Sequence, residues 1–527
     1  LGQRIVDAHR ASGYLEATVK VQHTESAPLT RTSTIVVDPG PKVLLRSIVI
    51  RGTRYTRPEF AQRAVDQPLG EPVTTEMLDG IRTDLYDLGT FRNVSLDLLG
   101  DEEARDLVVS LTERDRYAFE AGGGLSTDQG VRLFGRITRR NLWGLAHRVE
   151  LFGQLGLEYR SEDVRDWLPD VNDPEWRAAI SYTAPRFPVP QQDLVLDIVL
   201  RERVQERTWR MDSTGGGAAI ETRMANTRIR AGARVVSRQL NQVDTAALLE
   251  GEPWSVMFLE DPTIPSRWRQ QESITALLVE DLRDDPVSPT KGAWLSANGE
   301  VAPGVRWANQ PTTSFVKGEA RLSGYLPLGG FTLHLGVGGG VVRSLNDGVV
   351  PLEDRFRLGG TNSLRGYVRD AVGPQNRTPR VDVDWPAGLQ PVIDYVLRDD
   401  PDRWTPTGGD TTTTGTLELL MPLPALGLTS WEGYSASLFA DAGNVWLSDP
   451  VVTTPATTDL PRWADAMPDL RVGVGAGMRV STPVGPLQLD VAVNPQSLGS
   501  TGAVHTLLVQ ELEEPPVRAH LTLGATW

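Results

Sequence analysis

From Tyr117 to Trp527 apolar residues recur at every second position in short runs, and Gly, Pro, Asn and Asp bound the runs. That period belongs to β-strands with a different environment on each face. In "GPLQLDVAV", Leu487, Leu489, Val491 and Val493 share one face, while Gln488, Asp490 and Ala492 share the other. "VRAHLTLGATW" places Val517, Ala519, Leu521, Leu523, Ala525 and Trp527 together in the same way. The pattern predicts strands near 117–126, 130–139, 146–158, 176–186, 192–204, 212–223, 226–240, 270–282, 290–302, 312–326, 331–343, 412–422, 433–442, 471–482, 485–494 and 516–527.

Alternation alone suits an aqueous sandwich as well as a barrel. The connections separate the two. Those after even-numbered strands are mostly short ("MANT", "PLGG", "PVG"), whereas nearly all the long ones (241–269, 344–411, 446–470, 495–515) follow odd-numbered strands. Short turns on one rim and long loops on the other mark a membrane β-barrel. The expectation is therefore a sixteen-stranded antiparallel transmembrane β-barrel over 116–527, with a long loop at 344–411.

The first 115 residues follow a different rule. Residues 42–115 read as strand "LLRSIVIRG", helices "RPEFAQRAV" and "TTEMLDGIRTDLYDLG", then strands "RNVSLDLL" and "RDLVVSLTER", a complete small α+β module. Residues 1–41 read as helix "GQRIVDAHRAS" and strands "LEATVKVQH" and "RTSTIVVD", the C-terminal part of a second such module. Leu1 is no initiator residue, so the chain is expected to be a mature form or a fragment that starts inside a repeat.

Composition narrows the classes. At 527 residues the chain exceeds one ordinary soluble domain, and its apolar runs are too short for a membrane helix. A net charge of -15 and a pI near 5.0 argue against a nucleic-acid partner. The absence of cysteine excludes thiol catalysis, cysteine-bound metal and a disulfide framework. The six histidines show no metal-ligand spacing, and no catalytic motif such as Gly-x-Ser-x-Gly or His-Glu-x-x-His occurs, so no metal, cofactor or enzymatic activity is expected. "AGGGLS" (121–126) and "GVGAGMRV" (473–480) look superficially like phosphate-binding loops, but neither leads into a helix nor carries a P-loop Lys, so they read as strand glycines.

Several segments together resemble the Omp85 superfamily of outer-membrane assembly proteins, the BamA and TamA group. "DLYDLGTFRNVSLDL" matches the helix-to-strand junction of its POTRA modules, and "RRNLWGLAHRVEL" (139–151) is similar to its second periplasmic turn. "DLRDDPVSPTKGAWL" (281–295), "LFADAGNVW" (438–446) and "VSTPVGPLQLDVAV" (480–493) resemble its later barrel segments. "LRGY" (364–367) matches the signature of its sixth extracellular loop, and the final Trp527 is similar to its terminal β-signal. The resemblance implies a bacterial outer-membrane protein with its N-terminal modules in the periplasm. Its expected role is to insert and fold unfolded outer-membrane protein clients, with periplasmic or lipoprotein accessory subunits as further partners. A two-partner secretion transporter, which exports a passenger through the lumen, is the nearest alternative, and an outer-membrane enzyme a more distant one.

The resemblance also implies that the sixth loop folds back into the barrel. In "TLELLMP", lipid-facing Leu417, Leu419 and Met421 leave Glu418 inside; in "YSASLFAD", lipid-facing Ala436, Leu438 and Ala440 leave Asp441 inside. Arg365 is then expected to meet one or both carboxylates, because a guanidinium forks to them with fixed geometry. Gly366 lets the backbone pass close to the wall and Tyr367 packs beside it. Gly122, Gly123 and Gly124 fall in the first barrel strand, which must close against the last, "LTLGATW". Glycine weakens strand pairing, so these three, with Gly524 and Trp527, are expected to form a weak seam that opens sideways or, equally, a bend at a barrel corner.

Overall fold

The computed structural model describes residues 2–27, 30–65, 67–101, 103–157, 174–206, 208–243, 268–304, 314–345, 350–377, 404–424, 432–448, 470–482, 485–495 and 516–524. The chain divides into two compact units: 1–119 with 137–150 and 182–190, and 120–136 with 151–181 and 191–527.

In the first unit, helix α1 (Gly2–Arg10) is followed by the antiparallel pair β1 (Thr18–Ala27) and β2 (Thr30–Asp38). Then come β3 (Leu44–Arg51), α2 (Pro58–Ala64), α3 (Thr75–Asp87), β4 (Phe91–Gly100) and β5 (Ala104–Glu113), in the order the sequence predicts. Their sheet runs β3-β5-β4, with β3 parallel and β4 antiparallel to the central strand. Pro58 opens α2, where its missing N–H costs nothing. Thr74 caps α3 by accepting the Met77 N–H at 3.1 Å. Val43, Leu45, Ile81, Leu85, Phe91 and Val109 form the core between helices and sheet.

The same unit holds the turn 141–146, which joins the second and third barrel strands. It is therefore the first short turn on its rim, not the second. Asn141, Trp143 and Ala146 all take left-handed backbone conformations there. Asn141 is fixed from both ends: its amide donates to Thr56 Oγ1 at 2.9 Å, and its Oδ1 accepts the Ala146 N–H at 3.0 Å.

The barrel strands are β6 (Tyr117–Ser126), β7 (Gly130–Leu142), β8 (His147–Leu157), β9 (Glu175–Ala184), β10 (Gln192–Glu206), β11 (Trp209–Met224), β12 (Thr227–Val243), β13 (Arg269–Asp281), β14 (Gly292–Pro303), β15 (Ser314–Leu328) and β16 (Phe331–Ser344). After the short loop strands β17 (Gln375–Arg377) and β18 (Trp404–Pro406) come β19 (Thr411–Pro422), β20 (Glu432–Trp446), β21 (Arg471–Thr482), β22 (Gly485–Val493) and β23 (Val517–Gly524). Leaving aside β17 and β18, which pair with each other, β6 to β23 are sixteen strands in one closed sheet, with β23 hydrogen-bonded back to β6. The expected count and closure are both met.

Period-2 alternation sorts the side chains. Leu417 and Leu438 expose 49% and 53% of their surface outward, while their neighbours Glu418 and Asp441 are buried inside. Leu335, Val337, Leu489 and Val491 continue the outward apolar band. Such a surface is unstable in water and matches a hydrocarbon slab. No helix among the described residues is long and apolar enough to cross a membrane, and crossing is the work of the strands.

Inside the barrel lies part of the long loop between β16 and β19. Phe356, Leu358, Leu364, Tyr367 and Val372 of the loop pack with inward Phe315, Val342 and Val445. The glycine runs at 121–126 and 473–480 lie within β6 and β21.

Candidate functional site

The loop segment that packs inside begins with a tight fold. Gly359 and Gly360 both take left-handed conformations, and Ser363 Oγ donates to the Gly359 carbonyl at 2.8 Å while accepting the Gly359 N–H at 3.0 Å. This turn aims Arg365 at the barrel wall.

Arg365 meets three carboxylates on three different strands. Its Nε and Nη2 fork onto Asp441 of β20 at 2.7 and 2.9 Å. Its Nη1 reaches Glu418 of β19 and Asp490 of β22, each at 3.3 Å. The Arg365 backbone N–H adds a longer contact of 3.3 Å to Asp441. The Phe439 ring lies 3.4 Å from the guanidinium carbon and covers one face of the cation. All four charged side chains are buried, Asp490 completely. Three carboxylates around one guanidinium would repel each other, and a second cation offsets this: Arg479 of β21 donates to Glu418 at 2.8 and 3.1 Å. Gln488 adds a neutral donor to Asp490 at 2.6 Å.

Glu418 and Asp441 are the two carboxylates that strand parity points inward. Asp490 is a third, on the face of β22 opposite Leu487, Leu489, Val491 and Val493, and alternation alone assigns it no partner. Its signal was present: it is the one carboxylate on the inner face of that strand. Gly366 has φ +96°, a conformation that glycine adopts without strain, and passes the wall at Ala492 and Val493. Tyr367 is buried, and its hydroxyl donates to Asn494 Oδ1 at 2.8 Å, with the Val472 carbonyl at 3.2 Å.

A second ionic cluster lies earlier in the same loop, and sequence reasoning missed it. A single 3-10 turn, Leu352–Asp354, presents Glu353 and Asp354 to cations on the wall. Glu353 pairs with Arg269 of β13, and Asp354 takes Arg238 of β12 at 3.0 Å on both oxygens. Lys317 of β15 donates to the Asp354 carbonyl at 2.9 Å.

The seam residues separate into three cases. Gly124 pairs with Gly524, whose left-handed φ of +86° turns the end of β23. Gly122 and Gly123 are occupied from the neighbouring strand, where a Cβ would stand 2.5 Å from the Phe134 ring and 2.8 Å from Leu133. Trp527 lies outside the described residues. Among those residues, β23 and β6 share three pairs, Thr522 with Ser126, Leu523 with Leu125 and Gly524 with Gly124. On its other side β23 is paired with β22 from Leu523 to Val517.

A closed antiparallel barrel with an apolar outer band, its lumen holding a loop fastened by buried ion pairs, defines a class of outer-membrane β-barrel proteins. Comparison with known proteins narrows that class. Residues 141–501 match the Omp85 superfamily domain, and the chain belongs to that superfamily. It is 25% identical over 454 residues to the outer membrane protein assembly factor BamA of Neisseria meningitidis, which covers 83% of this chain and 51% of that protein. The chain thus spans about half the length of that relative. A SAM50-like protein of Schizosaccharomyces pombe is 22% identical over 490 residues, 87% of this chain and 88% of its own. Among solved structures, BamA from Haemophilus ducreyi lacking POTRA domains 1–3 superposes with a TM-score of 0.71 at 18% identity, covering 100% of this chain and 92% of that one. CdiB from Acinetobacter baumannii shares the fold at a TM-score of 0.51 and 13% identity, covering 97% and 78%. The protein's place is the bacterial outer membrane.

Proposed function

We propose that this chain is an outer-membrane protein assembly factor that inserts and folds client β-barrels at the seam between β6 and β23. The observation that carries the reading is the closure of the barrel by β23 against β6, where glycines stand on both sides of the join, at 122–124 and at 524, and glycine weakens strand pairing. When such a join parts, the N–H and C=O groups of its edge strands are left unsatisfied, and an incoming strand satisfies them by pairing there. The client's own backbone is then bonded before it meets lipid, where an unpaired group is costly. No nucleotide or catalytic set is needed, because strand pairing in the bilayer is downhill.

In this reading residues 42–115 form a complete POTRA-like module and 1–41 part of another. Both stand in the periplasm, where their sheet edges receive clients or accessory subunits. Arg365 acts as a tether that shapes the lumen and does no chemistry.

The chain has no cysteine, which makes the test clean. Leu125→Cys and Leu523→Cys introduce a pair in register across the seam. Client assembly by the reconstituted protein is measured with the pair oxidised and again after reduction. Loss on oxidation and recovery on reduction is the expected result. Equal assembly by the locked and open forms overturns the reading and leaves export through the lumen, as in a two-partner secretion transporter, in its place.

A further inference from the structure

The loop inside the barrel also touches both strands of the seam, at a point away from Arg365. Thr361 follows the Gly359-Gly360 turn. Its N–H and its hydroxyl both donate to Asp128 Oδ2, each at 2.5 Å. Asp128 sits in the turn that joins β6 to β7, the first hairpin of the barrel. The same hydroxyl lies 3.1 Å from Nδ1 of His520, on the last strand, and Asp128 Oδ1 is 3.4 Å from that nitrogen. A hydroxyl that donates to a carboxylate can only accept from the imidazole, so His520 carries its proton on Nδ1. Its Nε2 is then a free acceptor, and it receives the Gly366 N–H at 3.4 Å, next to the tethered Arg365.

His520 is thus held at both ring nitrogens by one loop, at two residues five apart in sequence. It is almost fully buried. The close approach of Asp128 requires Gly360, whose left-handed backbone (φ +89°) would place a Cβ 2.8 Å from Asp128 Oδ2. Thr127 extends the junction, its N–H donating to the Leu521 carbonyl at 3.0 Å and its hydroxyl accepting the Leu521 N–H at 3.2 Å.

We propose that Thr361, Asp128 and His520 form a clasp by which the lumenal loop holds the extracellular end of the seam shut, so that the seam opens only when the loop lets go. The clasp rests on the seam reading of function. Its members are positioning residues: they set how often the seam parts and touch no client. The Arg365 cluster keeps the loop within reach, and the clasp passes the loop's position to the two seam strands.

The test uses the full chain in outer-membrane vesicles, with the Leu125→Cys and Leu523→Cys pair as a reporter. Val491→Cys and Ala519→Cys, facing each other across β22 and β23, serve as the control ladder. Thr361→Val removes the hydroxyl from the clasp and keeps the side-chain shape. It is expected to lower the rate of disulfide formation at the seam about tenfold, the factor set by one hydrogen bond to a charged group. The control pair should keep its rate, and Thr361→Ser should restore the seam rate. Asp128→Ala, which removes the hairpin's side of the same contact, should act as Thr361→Val does. Unchanged seam rates in both variants overturn the clasp. So does an equal fall at both pairs, which would mean a general loosening of the barrel. Client assembly is scored separately on the same variants. If the seam responds and assembly does not, the clasp stands and the insertase reading fails.

Discussion

Gly473 of β21 lies directly beneath Arg365: a Cβ on Gly473 would stand 1.8 Å from the Arg365 carbonyl oxygen. The glycine on this strand therefore clears a track for the loop, and its absence of side chain is a contact requirement. Nothing can move aside cheaply, because the opposing atom is backbone. Gly473→Ala should displace the loop and destabilise the barrel by about 1–3 kcal/mol, the usual cost of overpacking. Gly318→Ala, with nothing within 4 Å of its Cβ, should be neutral or slightly stabilising. The shift in temperature at which the folded band is lost on semi-native gels reads both. Equal behaviour of the two variants would show that the loop does not rest on β21.

Arg365 is the hub of the lumenal cluster, and the three carboxylates do not depend on it equally. Glu418 keeps Arg479 when Arg365 is removed, whereas among the described residues Asp441 has no second cation to replace the fork. Arg365→Ala should cost about 3–5 kcal/mol, the penalty for an uncompensated buried charge. Arg365→Lys should recover only part of this, because an ammonium cannot fork. Arg369→Lys should cost less, since the Arg369–Asp370 contact is longer, at 3.5 Å, and less buried than the Arg365–Asp441 pair. Heat-modifiability of the four proteins ranks them, and indistinguishable Arg365→Lys and Arg369→Lys variants would sink the tether.

Adding Asp441→Asn to Arg365→Ala should return stability, because it removes the charge that the first change left behind. A double variant worse than Arg365→Ala would mean that Asp441 has some other partner that matters more.

Much of this site can be read from alternation, and the limits of alternation explain the rest. Parity along "TLELLMP" and "YSASLFAD" points Glu418 and Asp441 inward, and the loop motif supplies Arg365. Parity says nothing of height along the barrel axis, which follows from the pairing register. So Asp490 falls on the polar face of its strand with nothing in the alternation to show that it comes within reach of Arg365. Register here runs through Gly477 of β21, which stands opposite Asp490 of β22 on one side and Ser437 of β20 on the other. The strands themselves were legible because lipid and lumen impose opposite demands on neighbouring residues. The Thr361–Asp128–His520 junction was not, since it joins residues 233 and 159 positions apart with no shared motif. Arg269 and Glu353 escaped for the same reason, and also because a charged side chain at a strand start reads as solvated.

The Arg269–Glu353 pair holds the loop at its other end, and both side chains are buried. Arg269→Ala should therefore cost about 3–5 kcal/mol. Glu353→Gln on top of it should restore part of that loss. Urea unfolding in lipid vesicles gives the four stabilities of the cycle, and a coupling near zero would show that the two side chains do not act as a pair.

Asp128 gives the clasp a defined response to acid. Burial works to raise its pKa, but the hydrogen bonds from His520 and from the two donors of Thr361 outweigh burial and hold it at about 2. A carboxyl depressed in the folded state contributes stability above its unfolded value, 3.8 here, and loses that contribution as pH falls toward its folded value. The ionised form is thus worth about 2 kcal/mol at neutral pH, the free-energy equivalent of the difference between the folded and unfolded values. Wild type should exceed Asp128→Ala by about that amount at pH 7. The gap should close between about pH 4 and pH 2, where Asp128 takes up its proton and can no longer accept both Thr361 donors as an anion. Taking the difference between the two proteins cancels the titration of every other carboxylate in the barrel. Urea unfolding in vesicles across that range measures it. A gap that stays constant down to pH 2 would mean that packing around residue 128, and not its charge, holds the hairpin to the loop.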